Sequence, residues 1–139
     1  MNNGINVNSE IGKLKSVLLH RPGAEVENIT PDTMKQLLFD DIPYLKIAQK
    51  EHDFFAQTLR DNGAETVYIE NLATEVFEKS SETKEEFLSH LLHEAGYRPG
   101  RTYDGLTEYL TSMSTKDMVE KIYAGVRKNE LDIKRTALS

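Results

Sequence analysis

The sequence predicts a mixed α/β chain in which one βαβ crossover is followed by a small helical bundle. Three observations carry this reading. Two short runs rich in β-formers, "KLKSVLLH" (13–20) and "AETVYIENL" (64–72), flank one long amphipathic stripe, and strands separated by a helix of that length form a parallel crossover. After Leu72 the strand signals stop and helix starts follow one another. The apolar fraction is 38%, below the roughly 45–50% of a typical globular chain, so the core is expected to be incomplete or shared.

The first run reads as a buried strand, and "RPG" (21–23) ends it, because proline cannot donate to a ladder. Thr30, Pro31 and Asp32 then make a helix start, with a hydroxyl cap, a proline in the first turn and a negative charge near the positive end of the dipole. Pro43 restricts Ile42 and forces a new start. From there Leu45, Ala48, His52, Phe55 and Leu59 recur at helical spacing, drawing one apolar stripe down a helix of about five turns. Asn62 and Gly63 tolerate the left-handed cap and stop it. The second run places Val67 and Ile69 on one face of a strand.

Beyond Leu72, Thr83 with Glu86 reads as a capping box, and Phe87, Leu88, Leu91, Leu92 and Ala95 form the face behind it, up to Gly96. Tyr103, Leu106, Leu110 and Met113 make a second stripe. Ser114 with Asp117 opens a third helix whose face is Met118, Val119, Ile122 and Val126. Three such helices joined by short connections form a bundle. Leu131 to Ser139 shows no usable period. Two strands and one crossover helix cannot bury both faces of a parallel sheet, so further strands are expected from elsewhere.

A chain of 139 residues suits one domain, or one domain with part of a second. Seventeen Lys and Arg stand against 23 Asp and Glu, for a net charge of -6. No positive field gathers phosphates, and nucleic acid is not an expected partner. There are no cysteines, which removes disulfides, thiolate metal sites and thiol nucleophiles together and fits a reducing compartment such as the cytoplasm. No run is long enough for a membrane span, and "MNNGINVNSEIGK" has no signal-peptide pattern.

Few residues look chemical, and each has an ordinary reading. Adjacent Asp40 and Asp41 point in different directions and are poorly placed to share a proton; one of them is expected to cap the helix after Pro43. His52 lies on the apolar stripe, where a buried imidazole needs a hydrogen-bond partner. His90 and His93 have metal-compatible i, i+3 spacing, but no third ligand is evident. Arg21 follows a strand at its carboxyl end, where open α/β sheets place ligands; it either contacts a carboxylate ligand or pairs with an acidic neighbour. No glycine-rich phosphate loop occurs.

Taken in order, "SEIGKLK", "VLLHRPG", "LLFDDIPYL" and "AQKEHDFFA" closely resemble the amino-terminal region of bacterial arginine deiminases, over Ile5 to Leu72, and "AGVRKNEL" (124–131) resembles the segment that closes the family's helical insertion. The resemblance implies an incomplete blade of a pentein-type α/β propeller over residues 1–72 and a helical insertion over 73–139. It implies hydrolysis of L-arginine to L-citrulline and ammonia through a cysteine-linked amidino intermediate, without metal or cofactor, in a cytoplasmic homo-oligomer. The family's catalytic cysteine, histidine and acids lie in later blades, so this chain is expected to be an amino-terminal fragment, inactive alone, whose partners are the remaining blades. One site residue carries over: the second leucine of "LLFDD", Leu38, as a substrate contact, with Phe39, Asp40 and Asp41 shaping its loop. The rival reading is a non-catalytic module that self-associates through its unfinished sheet edge.

Overall fold

The computed structural model describes residues 7–34, 37, 40, 41, 43–127 and 129–131. Strand β1 (Ser16–Leu19) leads into two single-turn helices, α1 (Ala24–Glu27) and α2 (Pro31–Met34), and then into the crossover helix α3 (Leu45–Asp61). Strand β2 (Glu65–Tyr68) follows, and after it four helices: α4 (Ile69–Lys79), α5 (Ser81–Glu94), α6 (Arg101–Thr111) and α7 (Thr115–Ala124). β1 and β2 pair in parallel, with Ser16 opposite Glu65 and Leu19 opposite Tyr68. The expected βαβ unit is therefore present.

Helix α3 covers one face of this two-stranded sheet through a stripe that differs from the expected one at a single step. Ala56 is 0% exposed, while Phe55 is 52% exposed. A helix turns by about 100° per residue, so from His52 the next inward position is four residues on, and a methyl group fits the narrow space against two strands where a phenyl ring does not. The end of α3 is a complete Schellman cap: Ala64 N–H donates to Leu59 O (3.0 Å) and Gly63 N–H to Arg60 O (2.9 Å). Gly63 supplies the required φ of +83°, a region that costs glycine nothing. Gly96 repeats the device after α5, with φ +86° and Tyr97 N–H on Leu92 O at 2.9 Å.

Three further expectations need correction. Strand β1 is half-exposed rather than buried, with Leu18 56% exposed, because no element among the described residues covers the second sheet face. Ile69 is not a strand residue: the chain passes from β2 straight into α4, with Tyr68 as its N-cap, so the bundle has four helices where the periodicity showed three. The capping box at Thr83 is shifted by one turn. Ser80 caps α5, its hydroxyl accepting from Thr83 N–H at 3.1 Å. The cap at Ser114 is where the sequence placed it, accepting from Asp117 N–H at 3.1 Å and donating to Asp117 Oδ2 at 2.7 Å.

The main core lies in the bundle. Phe77 of α4, Leu88 of α5, Leu110 of α6, and Met118 and Val119 of α7 form one buried cluster, to which Phe77 adds an aromatic contact with Phe87 at 4.9 Å. The enclosed residues against the sheet are small, Ala56 and Ala64. Hydrophobic stabilisation scales with the apolar area removed from water, so the bundle contributes most of it. Leu110→Ala is expected to lower unfolding free energy by about 2–4 kcal/mol, the range for a buried leucine truncated in a packed core, and Ser114→Ala by about 1 kcal/mol through loss of the cap. Urea denaturation followed by circular dichroism measures both.

Candidate functional site

Because Leu19 and Tyr68 are register partners, the residues after both strands emerge side by side. A cleft of about 690 Å³ opens there, lined by His20, Arg21, Glu25, Tyr68, Glu70 and Tyr123 among others. It occupies the carboxyl edge of a parallel sheet, the position at which α/β folds place ligands.

His20 is the centre of this cleft. Its ring stacks on Tyr123 of α7, with centroids 4.6 Å apart and planes inclined by 21°. Nε2 lies 2.9 Å from Glu25 Oε1 of α1, and Nδ1 lies at ion-pair distance from Glu70 Oε1 of α4, without hydrogen-bond alignment. Glu25 Oε1 also accepts from Gly23 N–H at 2.6 Å. Burial pushes the Glu25 carboxyl up, but the bonds from the Gly23 backbone and His20 outweigh it and hold this group below the usual carboxylate range. Burial, and then the Glu70 carboxylate, push the Tyr123 hydroxyl up. Glu70 Oε2 is buried and finds no hydrogen-bond partner among the described residues.

Helix α3 grips the same loop from the other side. Arg21 makes a two-pronged bond to Asp53, Nε to Oδ1 at 2.8 Å and Nη2 to Oδ2 at 2.9 Å. Gln49 Nε2 donates to Pro22 O at 2.9 Å. The bond to Arg21 holds the Asp53 carboxyl below its ordinary range, and the same bond raises the Arg21 guanidinium. Of the two readings open for Arg21, the acidic neighbour is the one realised. A second tie joins bundle to loop: Asn28 Nδ2 donates to Ala124 O at 2.5 Å and Asn28 Oδ1 accepts from Arg127.

The other candidates are dispersed. Leu38 and Phe39 lie outside the described residues. Asp40 and Asp41 are exposed, and neither caps α3, whose N-cap is Tyr44 with no side-chain cap bond. The helix starts at Leu45, too far along the chain for either carboxylate to reach its first N–H groups in the local manner of a cap. The partner expected for His52 is missing: Nε2 is buried with no hydrogen bond among the described residues, and the ring meets Tyr68 edge-on at 5.8 Å. His90 and His93 are exposed on α5, and among the described residues no three His, Asp or Glu side chains form a group able to hold a metal.

Sequence reading missed Glu25, Glu70 and Tyr123. Their partner is His20, which falls inside a quoted motif, but acids and a tyrosine on three different helices carry no spacing signal relative to it. The cleft joins four elements through polar contacts. Among the described residues its lining contains no Ser, Thr or Cys side chain.

Comparison with known proteins adds a second line of evidence. The family model described as arginine deiminase matches residues 35–139. The chain is 99% identical over all 139 residues to an arginine deiminase of Lactococcus lactis subsp. cremoris (strain MG1363) and covers 34% of that protein. It is 62% identical over 138 residues, 99% of the chain, to an arginine deiminase of Latilactobacillus sakei, again covering 34%. With an arginine deiminase of Clostridium perfringens the identity is 58% over 128 residues, 91% of the chain and 31% of the relative. The chain thus spans about a third of the length of the curated relatives it matches.

The electrostatics of the cleft set a pH dependence. A carboxyl held below its unfolded value contributes stability that is present above the unfolded value and is lost as pH falls through the folded one. Glu25 has this sign. Glu25→Gln is expected to destabilise the chain clearly at about pH 7, and the difference from the parent sequence should shrink toward about pH 3. Urea melts at the two pH values check this, and a gap that widens on acidification would contradict the assignment.

Proposed function

The chain belongs to the arginine deiminase family, and from that premise we propose that it forms the amino-terminal portion of an enzyme that hydrolyses L-arginine to L-citrulline and ammonia. The observation that carries this reading is the 99% identity along the whole chain to a protein of which it covers 34%. In that role residues 1–72 belong to a pentein-type propeller blade and residues 73–139 to a helical insertion. The remaining blades add strands in the plane of the β1–β2 sheet and cover its open face at Leu18, which meets the physical need of a two-stranded parallel unit for further strands.

The chemistry divides accordingly. Hydrolysis through an amidino intermediate on sulfur requires a thiolate, and this sequence contains no cysteine. The nucleophile and its acid/base partners come from the longer protein. This stretch supplies a wall of the substrate pocket through Leu38, with Phe39, Asp40 and Asp41 shaping the loop. The His20 cleft holds the chain on either side of that loop, since α1 carries Glu25 before it and Arg21 is tied to Asp53 of α3 after it. No cofactor enters the proposed reaction. The enzyme works in the cytoplasm as a homo-oligomer, without nucleic acid or membrane as a partner. The alternative is a non-catalytic module that associates through its open sheet edges, which the two-stranded order β1-β2 leaves unpaired among the described residues.

Citrulline production measured colorimetrically tests the proposal. The 139-residue chain alone is expected to give none. In a full-length protein carrying this stretch, Leu38→Ala is expected to raise KM for arginine by about tenfold, the scale of a lost apolar pocket contact, with a smaller change in kcat. Turnover by the 139-residue chain, or an unchanged KM in the variant, contradicts the corresponding part of the reading.

A further inference from the structure

The stop of helix α3 is built from a dipeptide with a chemistry of its own. Asn62 is followed by Gly63, and glycine, having no side chain, leaves its main-chain nitrogen free to approach a preceding carboxamide. When the Gly63 nitrogen attacks Asn62 Cγ, the Cγ–Nδ2 bond breaks and ammonia leaves, carrying the Gly63 amide proton. The five-membered imide that results takes up water. Opening at Cγ yields aspartate, and opening at the main-chain carbonyl yields isoaspartate, in which the main chain runs through Cβ and Cγ. Water is the sole co-reactant, and Asn62 is exposed to it.

The folded cap opposes each movement that this reaction needs. Gly63 N–H, which must give up its proton, donates to Arg60 O at 2.9 Å. Asn62 Nδ2, the leaving group, donates to Thr58 O at 2.8 Å. With ψ of Asn62 at 11°, the Gly63 nitrogen is turned away from Cγ, and the rotation that closes the ring also breaks the cap. The turn has little slack, because Ala64 is buried and Glu65 N–H is held on Lys15 O at 2.9 Å. Arg60 braces the turn from outside, Nη1 donating to Thr66 Oγ1 of β2 at 2.9 Å and Nη2 to Gln57 Oε1 at 3.0 Å. Helix ends nevertheless fray before their centres do.

We propose that Asn62 is a deamidation site gated by the last turn of α3, and that its conversion removes the cap irreversibly. A carboxylate at this position has no donor for Thr58 O. It also sets a negative charge beside Asp61 at the negative end of the helix dipole. In the isoaspartate product an extra main-chain carbon enters a turn closed by two backbone bonds, those of Gly63 and Ala64. Either product loosens the joint that sets α3 against β2, so the chain ages in one direction from this point.

Peptide mass spectrometry of the 139-residue chain, incubated at mildly alkaline pH across a urea series, tests this. Conversion at Asn62 is expected to be at least about tenfold slower in the folded chain than in the unfolded one, since only the open turn reacts. Below the unfolding transition the rate is expected to stay nearly flat in urea, because a local opening exposes little surface. Arg60→Ala is expected to speed conversion about three- to tenfold in the folded chain, the scale of one lost hydrogen bond, and to leave the rate in concentrated urea unchanged. Asn62→Asp, which is the aspartate product, is expected to lower the urea midpoint and speed amide exchange at Gly63 and Ala64. Equal rates in the folded and unfolded chains overturn the proposal, as does a folded chain that never converts. A rate that climbs with the full slope of global unfolding, or one that Arg60→Ala leaves unchanged, assigns the reaction to global unfolding and overturns the gate. An Asn62→Asp chain with the parent's midpoint and exchange overturns the loss of the cap.

Discussion

The passage from β2 into α4 without a loop is the constraint on which the rest of the structure depends. Tyr68 is the last strand residue and also the N-cap of α4, so the direction of the helix is set by the strand that precedes it. Two residues into α4, Glu70 arrives beside His20, the residue that follows the neighbouring strand. Two turns later Phe77 enters the bundle core with Leu88, Leu110, Met118 and Val119. Helix α7, packed on α4 in that core, then brings Tyr123 back over the His20 ring. The apolar core and the polar cleft are thus two ends of one rigid connection.

These two ends are built on different physics. The bundle buries large side chains, and its helix starts at Ser80 and Ser114 are capped by hydroxyls. The α/β part encloses little beyond Ala56 and Ala64, and it holds together through directed polar bonds instead: Arg21 to Asp53, Gln49 to Pro22, His20 to Glu25. A neutral hydrogen bond such as Gln49 to Pro22 contributes about 1 kcal/mol in net terms, and the exposed Arg21–Asp53 pair is screened by solvent, so this half is the less stable on its own. In it or at its border with α4 lie the three buried atoms without a hydrogen-bond partner among the described residues, His20 Nδ1, His52 Nε2 and Glu70 Oε2. An unsatisfied buried group costs about 1–3 kcal/mol, which concentrates the energetic deficit around the His20 cleft and the inner face of α3.

Legibility varied with how local each signal was. The crossover helix, its left-handed stop at Gly63, the cap at Ser114 and the faces of α5, α6 and α7 were readable because each rests on residues within a few positions of one another. Helix α4 was not, since "IENLATEVFEK" begins inside an apolar run whose first residues fit a strand equally well, and a short apolar run does not distinguish the two by period. The one-step error at Phe55 had the same origin: positions 55 and 56 both suit a helical stripe, and the width of the space against two strands chose the smaller side chain. For the site, Arg21 was visible as a candidate with its role left open. Glu25, Glu70 and Tyr123 were invisible, because three different helices deliver them to His20.

By itself the sequence determined the class of the chain, its parallel crossover and the absence of cysteine, since these follow from periodicity, helix length, loop residues and composition. Its ordered motifs carried the resemblance that the family match then supported. Only the tertiary structure decided that β2 runs directly into α4, that Arg21 is spent on Asp53, and that His20 sits between carboxylates under Tyr123. The reason is the same in each case. Such choices turn on which side chains meet across elements distant in the chain, and that geometry exists only once the elements are packed.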